Sequence, residues 1–142
     1  MTINAILQNK GREVTQVRSS DRVQSAVQLL AEKRIGCLPV VDDGKVVGMF
    51  SERDLVRHVA RDGAAVLDRT VGDVMTAPPI TTDDKTPVIH CLSLMTKKRV
   101  RHLPVIVDGT LRGLVSIGDL VKFRIDAIES EAAALRDYIQ SA

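Results

Sequence analysis

Apolar residues recur at Val23, Ala26, Val27 and Leu30, and again at Val88, Cys91, Leu92 and Met95. Both sets follow i, i+3, i+4, i+7, the spacing of one helical face, and predict helices over Val23–Lys33 and Val88–Lys98. The period then changes. Cys37–Val41 and Val46–Phe50 flank Asp42-Asp43-Gly44-Lys45, and His102–Val107 and Leu111–Val115 flank Asp108-Gly109. These runs predict two β-hairpins, and because they are nearly continuously apolar and β-branched, both faces of each are expected to be covered. Short lead-in strands are expected at Val14–Val17 and Ile80–Thr82. Ser51 and Ser116 stand where a side-chain oxygen can cap a following helix, which in the second case is expected to run through Phe123. Ile125, Ile128, Ala132, Leu135 and Ile139 then follow 3,4,3,4 spacing, a narrow apolar seam on a C-terminal helix that calls for a partner surface.

The two patterns are copies of each other. A shift of 65 residues lays Lys33–Arg57 onto Lys98–Lys122 without a gap, with 12 of 25 positions identical. The shared residues include Lys33/Lys98, Arg34/Arg99, Leu38-Pro39-Val40/Leu103-Pro104-Val105, Gly48/Gly113, Ser51/Ser116 and Asp54/Asp119. Ile3, Ile6 and Leu7 correspond in turn to Val71, Val74 and Met75. Arg61-Asp62-Gly63 closes the first copy, and Pro78-Pro79 forces an extended path into the second. The organisation expected is a first repeat with its N-terminal helix at 1–62, a linker at 63–72, a second repeat at 73–125 and an amphipathic helix at 126–142.

A chain of 142 residues fits one compact domain or two very small ones, and 44% hydrophobic with 27% charged residues is the balance of a soluble globular protein. No run is long enough to span a bilayer, and Met1–Lys10 lacks the basic-then-apolar order of a secretion signal, so a cytoplasmic address is expected, with Cys37 and Cys91 reduced. Acids and bases are interleaved and sum to +2, and only Phe50, Phe123 and Tyr138 are aromatic. Neither a basic footprint nor a base-stacking surface can be built from these, which argues against a nucleic-acid partner. HExxH, paired CxxC, GxxxxGK[ST] and GxSxG are all missing, and His58, His90 and His102 occupy non-equivalent repeat positions, so neither a catalytic group nor a metal site is expected.

The chemistry that remains is a duplicated Gly-x-x-Ser-x-x-Asp: Gly48, Ser51, Asp54 and Gly113, Ser116, Asp119. Two readings stand side by side. In one, Gly allows close packing, Ser caps the helix and Asp favours its dipole. In the other, the carboxylate accepts the vicinal hydroxyls of a ribose while Ser and the free N–H groups of the helix start hold phosphate.

With Arg-Ile-Gly-Cys-Leu-Pro-Val-Val-Asp and Arg-Val-Arg-His-Leu-Pro-Val-Ile-Val-Asp each leading into that motif, nearly the whole chain resembles a tandem pair of cystathionine-β-synthase (CBS) domains, the Bateman module. The resemblance implies an α/β (α+β) fold of two β-α-β-β-α repeats about a pseudo-twofold axis. It also implies two clefts for an adenosine ligand: AMP, ADP, ATP, NAD(H) or S-adenosylmethionine. Each cleft would be built crosswise. One would use Val17, Ile35, Gly36, Cys37 and Pro39 with Ser116 and Asp119. The other would use Ile80, Thr82, Val100, Arg101, His102 and Pro104 with Ser51, Arg53 and Asp54. Arg101, His102 and Arg53 make the second cleft the more cationic, suited to a phosphorylated adenosine, unless those side chains are simply solvated or reach across a dimer. By resemblance the chain is a non-enzymatic regulatory module and a homodimer that signals to a separate, unidentified protein. The competing reading is a ligand-independent interaction or stress-related scaffold with vestigial clefts.

Overall fold

The structure, a computed structural model, describes residues 1–141; Ala142, the last residue of the expected segment 126–142, lies outside them. In chain order the elements are α1 (Ile3–Lys10), α2 (Val23–Lys33), β1 (Cys37–Asp42), β2 (Lys45–Ser51), α3 (Glu52–Asp62), α4 (Val71–Val74), α5 (Val88–Lys98), β3 (His102–Val107), β4 (Thr110–Ser116) and α6 (Ile117–Ser141). This is a mixed α/β molecule with two small antiparallel sheets, β1–β2 and β3–β4. The helices α2 and α5 have the bounds the apolar periodicity predicts. Each hairpin closes through a two-residue loop with positive φ at both positions, Asp43-Gly44 at 50° and 76° and Asp108-Gly109 at 51° and 75°. That geometry matches the twist of the flanking strands, and Asp-Gly adopts it readily. Each ladder also slips once, between Val40 and Val41 and between Val105 and Ile106, so the duplication extends to the irregularities.

The lead-in strands are shorter than expected. Each contracts to one parallel bridge, Val17 to Val40 and Thr82 to Val105. The Val17 N–H donates to Pro39 O at 3.1 Å and Val41 N–H donates to Val17 O at 2.8 Å. Thr15, Gln16 and Arg18 have little apolar surface to bury, so only Val17 is drawn fully into the core.

Packing crosses the expected boundaries. Ile3, Ile6 and Leu7 of α1 join the core of the second repeat, with Val88, Met95, Leu103 and Leu120. Val71 and Val74 of α4 join the core of the first, with Val23, Leu38 and Phe50. Each repeat therefore borrows its short helix from the segment that precedes the other repeat. The repeated glycines make room for this. A Cβ on Gly113 would lie 2.6 Å from Leu7 Cδ2, and one on Gly48 would lie 2.6 Å from Met75 Sδ and 2.9 Å from Thr76 O. The segment 63–72 is likewise more than a tether, since Gly63–Asp68 forms a 3₁₀ turn whose Val66 is fully buried in the first core.

The chain after Ser116 forms one helix rather than two. α6 continues unbroken past Phe123 to Ser141, because nothing between Asp119 and Ser141 is Gly or Pro and the stretch is rich in Ala, Glu, Leu and Arg. No helix among the described residues is long and apolar enough to cross a membrane.

Candidate functional site

Ser51 ends β2 and caps α3, and the cap is reciprocal. The Asp54 N–H donates to Ser51 Oγ at 3.3 Å, and the Ser51 N–H donates back to Asp54 Oδ2 at 2.9 Å. This is a capping box with Asp in the place of the usual Glu. The Ser51 hydroxyl is also 3.1 Å from Oδ2, and the Thr76 hydroxyl donates to Oδ1 at 2.7 Å. Asp54 is the one buried charged side chain among the described residues, 5% exposed. Two carboxylate oxygens offer about four acceptor sites, so three protein donors leave room for one more. The Ser51 hydroxyl can vacate another by turning toward a ligand. Capping and ligand contact are thus compatible roles for the same carboxylate.

Asp54 lines a cavity of about 550 Å³, within the usual range of small-molecule sites. On one side stand Gly36, Cys37, Ser51 and Arg53 from the first repeat; on the other stand Ile80, Val100, Arg101 and His102 from the second. The crossing is tied by a direct bond, Arg53 Nη1 donating to Arg99 O at 3.1 Å. Arg99 closes α5 in the left-handed conformation, φ 55°, and the Val100 N–H donates to Met95 O five residues back. This helix-ending turn directs Arg99 to His102 along the cavity wall. Arg34 closes α2 in the same way, with Ile35 N–H donating to Leu30 O.

Seven of the residues expected in the second cleft, Ser51, Arg53, Asp54, Ile80, Val100, Arg101 and His102, therefore surround one cavity. Thr82 and Pro104 are not in its wall: the Thr82 N–H donates to Pro104 O, and the Thr82 hydroxyl lies 3.3 Å from Cys91 Sγ. The residues expected in the first cleft do not come together. Gly36 and Cys37 face the Asp54 cavity instead, while Val17 and Pro39 are bonded to each other inside the first repeat. Ile35 lines a more open hollow with Val27, Leu30 and Leu55, which Gly36 also borders. Ser116 and Asp119 repeat the reciprocal cap at 2.8 and 3.1 Å, but Lys10 covers them. Its ammonium donates to Asp119 Oδ2 at 2.6 Å and to Leu114 O at 2.8 Å.

Met49, Glu52, Arg57, Thr76, Pro78, Pro79, Lys98 and Arg99 also line the cavity, beyond the residues expected there from the sequence. The identity of Lys33-Arg34 with Lys98-Arg99 was an available signal. Thr76 carried none, because its contact with Asp54 depends on α4 packing against β2. With these residues the wall holds Arg53, Arg57, Lys98, Arg99 and Arg101 against two acids, Glu52 and Asp54.

Burial, reinforced by the nearby Lys10 ammonium, lowers the His102 pKa below the ordinary value, so the imidazole is neutral near pH 7 and enters the site as a hydrogen-bonding group rather than a cation. Burial and the Asp54 charge push the Cys37 thiol up to about 12, which leaves it protonated and unreactive. Burial alone would raise Asp119, but the Lys10 ammonium and the Ser116 N–H outweigh it and hold this carboxyl below its usual range.

The sequence model of the CBS domain matches residues 11–61 and 71–126. The chain is 34% identical to the CBS domain-containing protein CBSX3, mitochondrial, of Arabidopsis thaliana, over 98% of this chain and 72% of that protein. Among solved structures it is similar to the CBS-domain containing protein ATU1752 of Agrobacterium tumefaciens, with a TM-score of 0.84 and 38% identity over 87% of this chain and 99% of that one. It is also similar to the CBS domain pair of protein MJ0100 in complex with 5′-methylthioadenosine and S-adenosyl-L-methionine. There the TM-score is 0.79 and the identity 25%, over 89% of this chain and 98% of that one. Two repeats of one motif, each lending a helix to the other and sharing a crosswise cavity, belong with these proteins: the chain is a member of the CBS domain family, as a tandem pair.

Proposed function

We propose that the protein is a non-catalytic sensor that binds a phosphorylated adenosine in the Asp54 cavity and reports occupancy to a separate protein. The observation that carries this reading is the composition of the cavity wall. A buried carboxylate with remaining acceptor capacity shares the cavity with five Lys and Arg side chains, three of them, Lys98, Arg99 and Arg101, across the repeat boundary, and with one other acid, Glu52. The carboxylate suits ribose hydroxyls and the guanidinium groups suit phosphate. The aliphatic side chains of Ile80 and Val100, with Pro78 and Pro79, offer a surface for a purine. The adenosine ligands of the MJ0100 pair support the ligand class.

Because Arg53 bonds to Arg99 across the boundary, a ligand that engages both walls has different affinities for closed and open arrangements of the repeats, which is what a population shift requires. The reading includes a reducing, cytoplasmic setting, consistent with Cys37 and Cys91 being free and buried.

A thermal-shift panel tests it. Ligand at about 100 times its Kd adds about 2.7 kcal/mol of stability, so AMP should raise the melting temperature of the wild type clearly and adenosine should raise it less. Arg101→Ala should remove most of the difference between the two. No shift with AMP, ADP, ATP, NAD(H) or S-adenosylmethionine would overturn the reading in favour of a ligand-independent scaffold.

A further inference from the structure

The helix α6 carries two apolar stripes. Leu120, Phe123 and Ala127 turn inward, and Leu120 is fully buried. The second stripe lies about 100° around the helix from Leu120 and faces outward: Val121, Ile125, Ile128, Leu135 and Ile139 are 42, 49, 49, 59 and 64% exposed. Ala132 continues it between Ile128 and Leu135. From Ala133 to Ser141 every residue is exposed, so the outer part of the helix has almost no packing within the chain. A segment of that length is marginal as an isolated helix in water.

The charges beside the stripe identify what covers it. In heptad terms Ile125, Ala132 and Ile139 occupy a positions and Val121, Ile128 and Leu135 occupy d positions. Lys122, Glu129 and Arg136 then fall at e, and Arg124 and Glu131 fall at g. In a parallel pair each g residue meets the e residue five positions on in the other strand. Arg124 meets Glu129 of the partner subunit, and Glu131 meets Arg136 of the partner subunit. Twofold symmetry doubles these to four pairs, all of opposite sign. A fully overlapped antiparallel pair would instead set e against e and g against g. Lys122 would then face Arg136 of the partner subunit, Glu129 would face Glu129 of the partner subunit and Glu131 would face Glu131 of the partner subunit, all of like sign.

We propose that two copies of this chain associate through a parallel two-stranded coiled coil formed by this outer stripe of α6. Ile125 and Ile139 at a with Leu135 at d fit the two-stranded arrangement, while Ala132 at a and Ile128 at d depart from it. The assembly sets the two nucleotide modules side by side with their α6 helices pointing the same way, and it does not depend on any ligand.

Light scattering and sedimentation on the full chain test this. The wild type should have twice the mass of one chain. Leu135→Asp, at an exposed position that leaves both cores intact, should raise the dimer Kd more than tenfold with unchanged circular dichroism from the body. Glu131→Arg should raise the Kd about two- to fivefold, the range of an exposed ion pair, and Glu131→Arg with Arg136→Glu should restore it. Under air oxidation Leu135→Cys should become a disulfide-linked dimer, while the wild type, whose thiols are buried, should not. A monomeric wild type would overturn the proposal. So would a dimer indifferent to Leu135→Asp, or a Leu135→Cys dimer that stays unlinked.

Discussion

Asp54 and Asp119 occupy the same position in two copies of one motif, close the same reciprocal cap, and end in different surroundings. Asp54 is buried, takes a hydroxyl from Thr76, and opens onto a cavity whose far wall is cationic. Asp119 keeps 26% of its side chain exposed and is held by an ammonium from its own chain. The difference originates in the borrowed helices. α4 stops at Val74, and the chain then runs extended so that Thr76 pairs with Met49 beside the carboxylate. α1 continues to Lys10, and the additional helical length delivers an ammonium to Asp119. Duplication thus supplied two carboxylates, and the length of a short helix decided which one remained available.

The largest test of this comparison concerns the glycines that admit the borrowed helices. Gly113→Ala would press on the end of the flexible Leu7 side chain, whereas Gly48→Ala would also meet the Thr76 carbonyl, part of the backbone beside Asp54. Overpacking of this kind costs about 1–3 kcal/mol. Urea denaturation should show both variants destabilised, Gly48→Ala by more, and equal or reversed losses would break the proposed link between helix packing and site geometry.

A smaller effect is expected at Lys10. The pair with Asp119 is partly exposed, so Lys10→Met should cost less than about 1 kcal/mol at pH 7. The sign with pH follows from Asp119. Its folded pKa is depressed, so the stabilisation is present above the ordinary carboxylate range and is lost as pH falls through the lower folded value. The stability difference between wild type and Lys10→Met should accordingly vanish in acid; a difference that persists at pH 2 would show that Lys10 acts through packing rather than charge.

His102 gives the smallest signal. Its folded pKa lies below 6.5, so the unfolded chain binds more protons between those values and stability falls as pH drops from the ordinary histidine range toward the folded one. A phosphate beside the ring would raise that pKa again, so AMP binding near pH 6 should take up a fraction of a proton. Calorimetry in buffers of different ionisation heat should detect this uptake in the wild type and find it reduced in His102→Gln. Equal uptake in both would place the phosphate away from His102.

These contrasts also mark how far the sequence was legible. The helices at Val23–Lys33 and Val88–Lys98 and the Asp-Gly hairpins followed from periodicity and turn chemistry, both of which are local. The duplicated motif pointed to Ser51 and Asp54, and the expectation that Val100, Arg101 and the first β3 residue His102 stand beside them came from the resemblance. What could not be read depends on contacts between segments distant in sequence. The exchange of α1 and α4 between cores, the Thr76 hydroxyl on Asp54 and the Lys10 ammonium on Asp119 are of this kind. The repeat led to an expectation of two clefts, unlike in charge, and nothing in the spacing of Lys10 shows that it reaches a residue more than a hundred positions away. The continuity of α6 could have been read, since no helix-breaking residue separates Phe123 from the seam.

The central claim is that one cleft, the one at Asp54, grips a phosphorylated adenosine across the two repeats. Isothermal titration of AMP into the wild type, Asp54→Ala and Asp119→Ala tests it most directly. The account predicts one site per chain in the wild type, unchanged by Asp119→Ala. In Asp54→Ala it should weaken ten- to a hundredfold, as expected for the loss of a charge-assisted hydrogen bond of about 1.5–3 kcal/mol. An Asp54→Ala protein that binds AMP as the wild type does, or a wild type whose affinity depends on Asp119 instead, would contradict it.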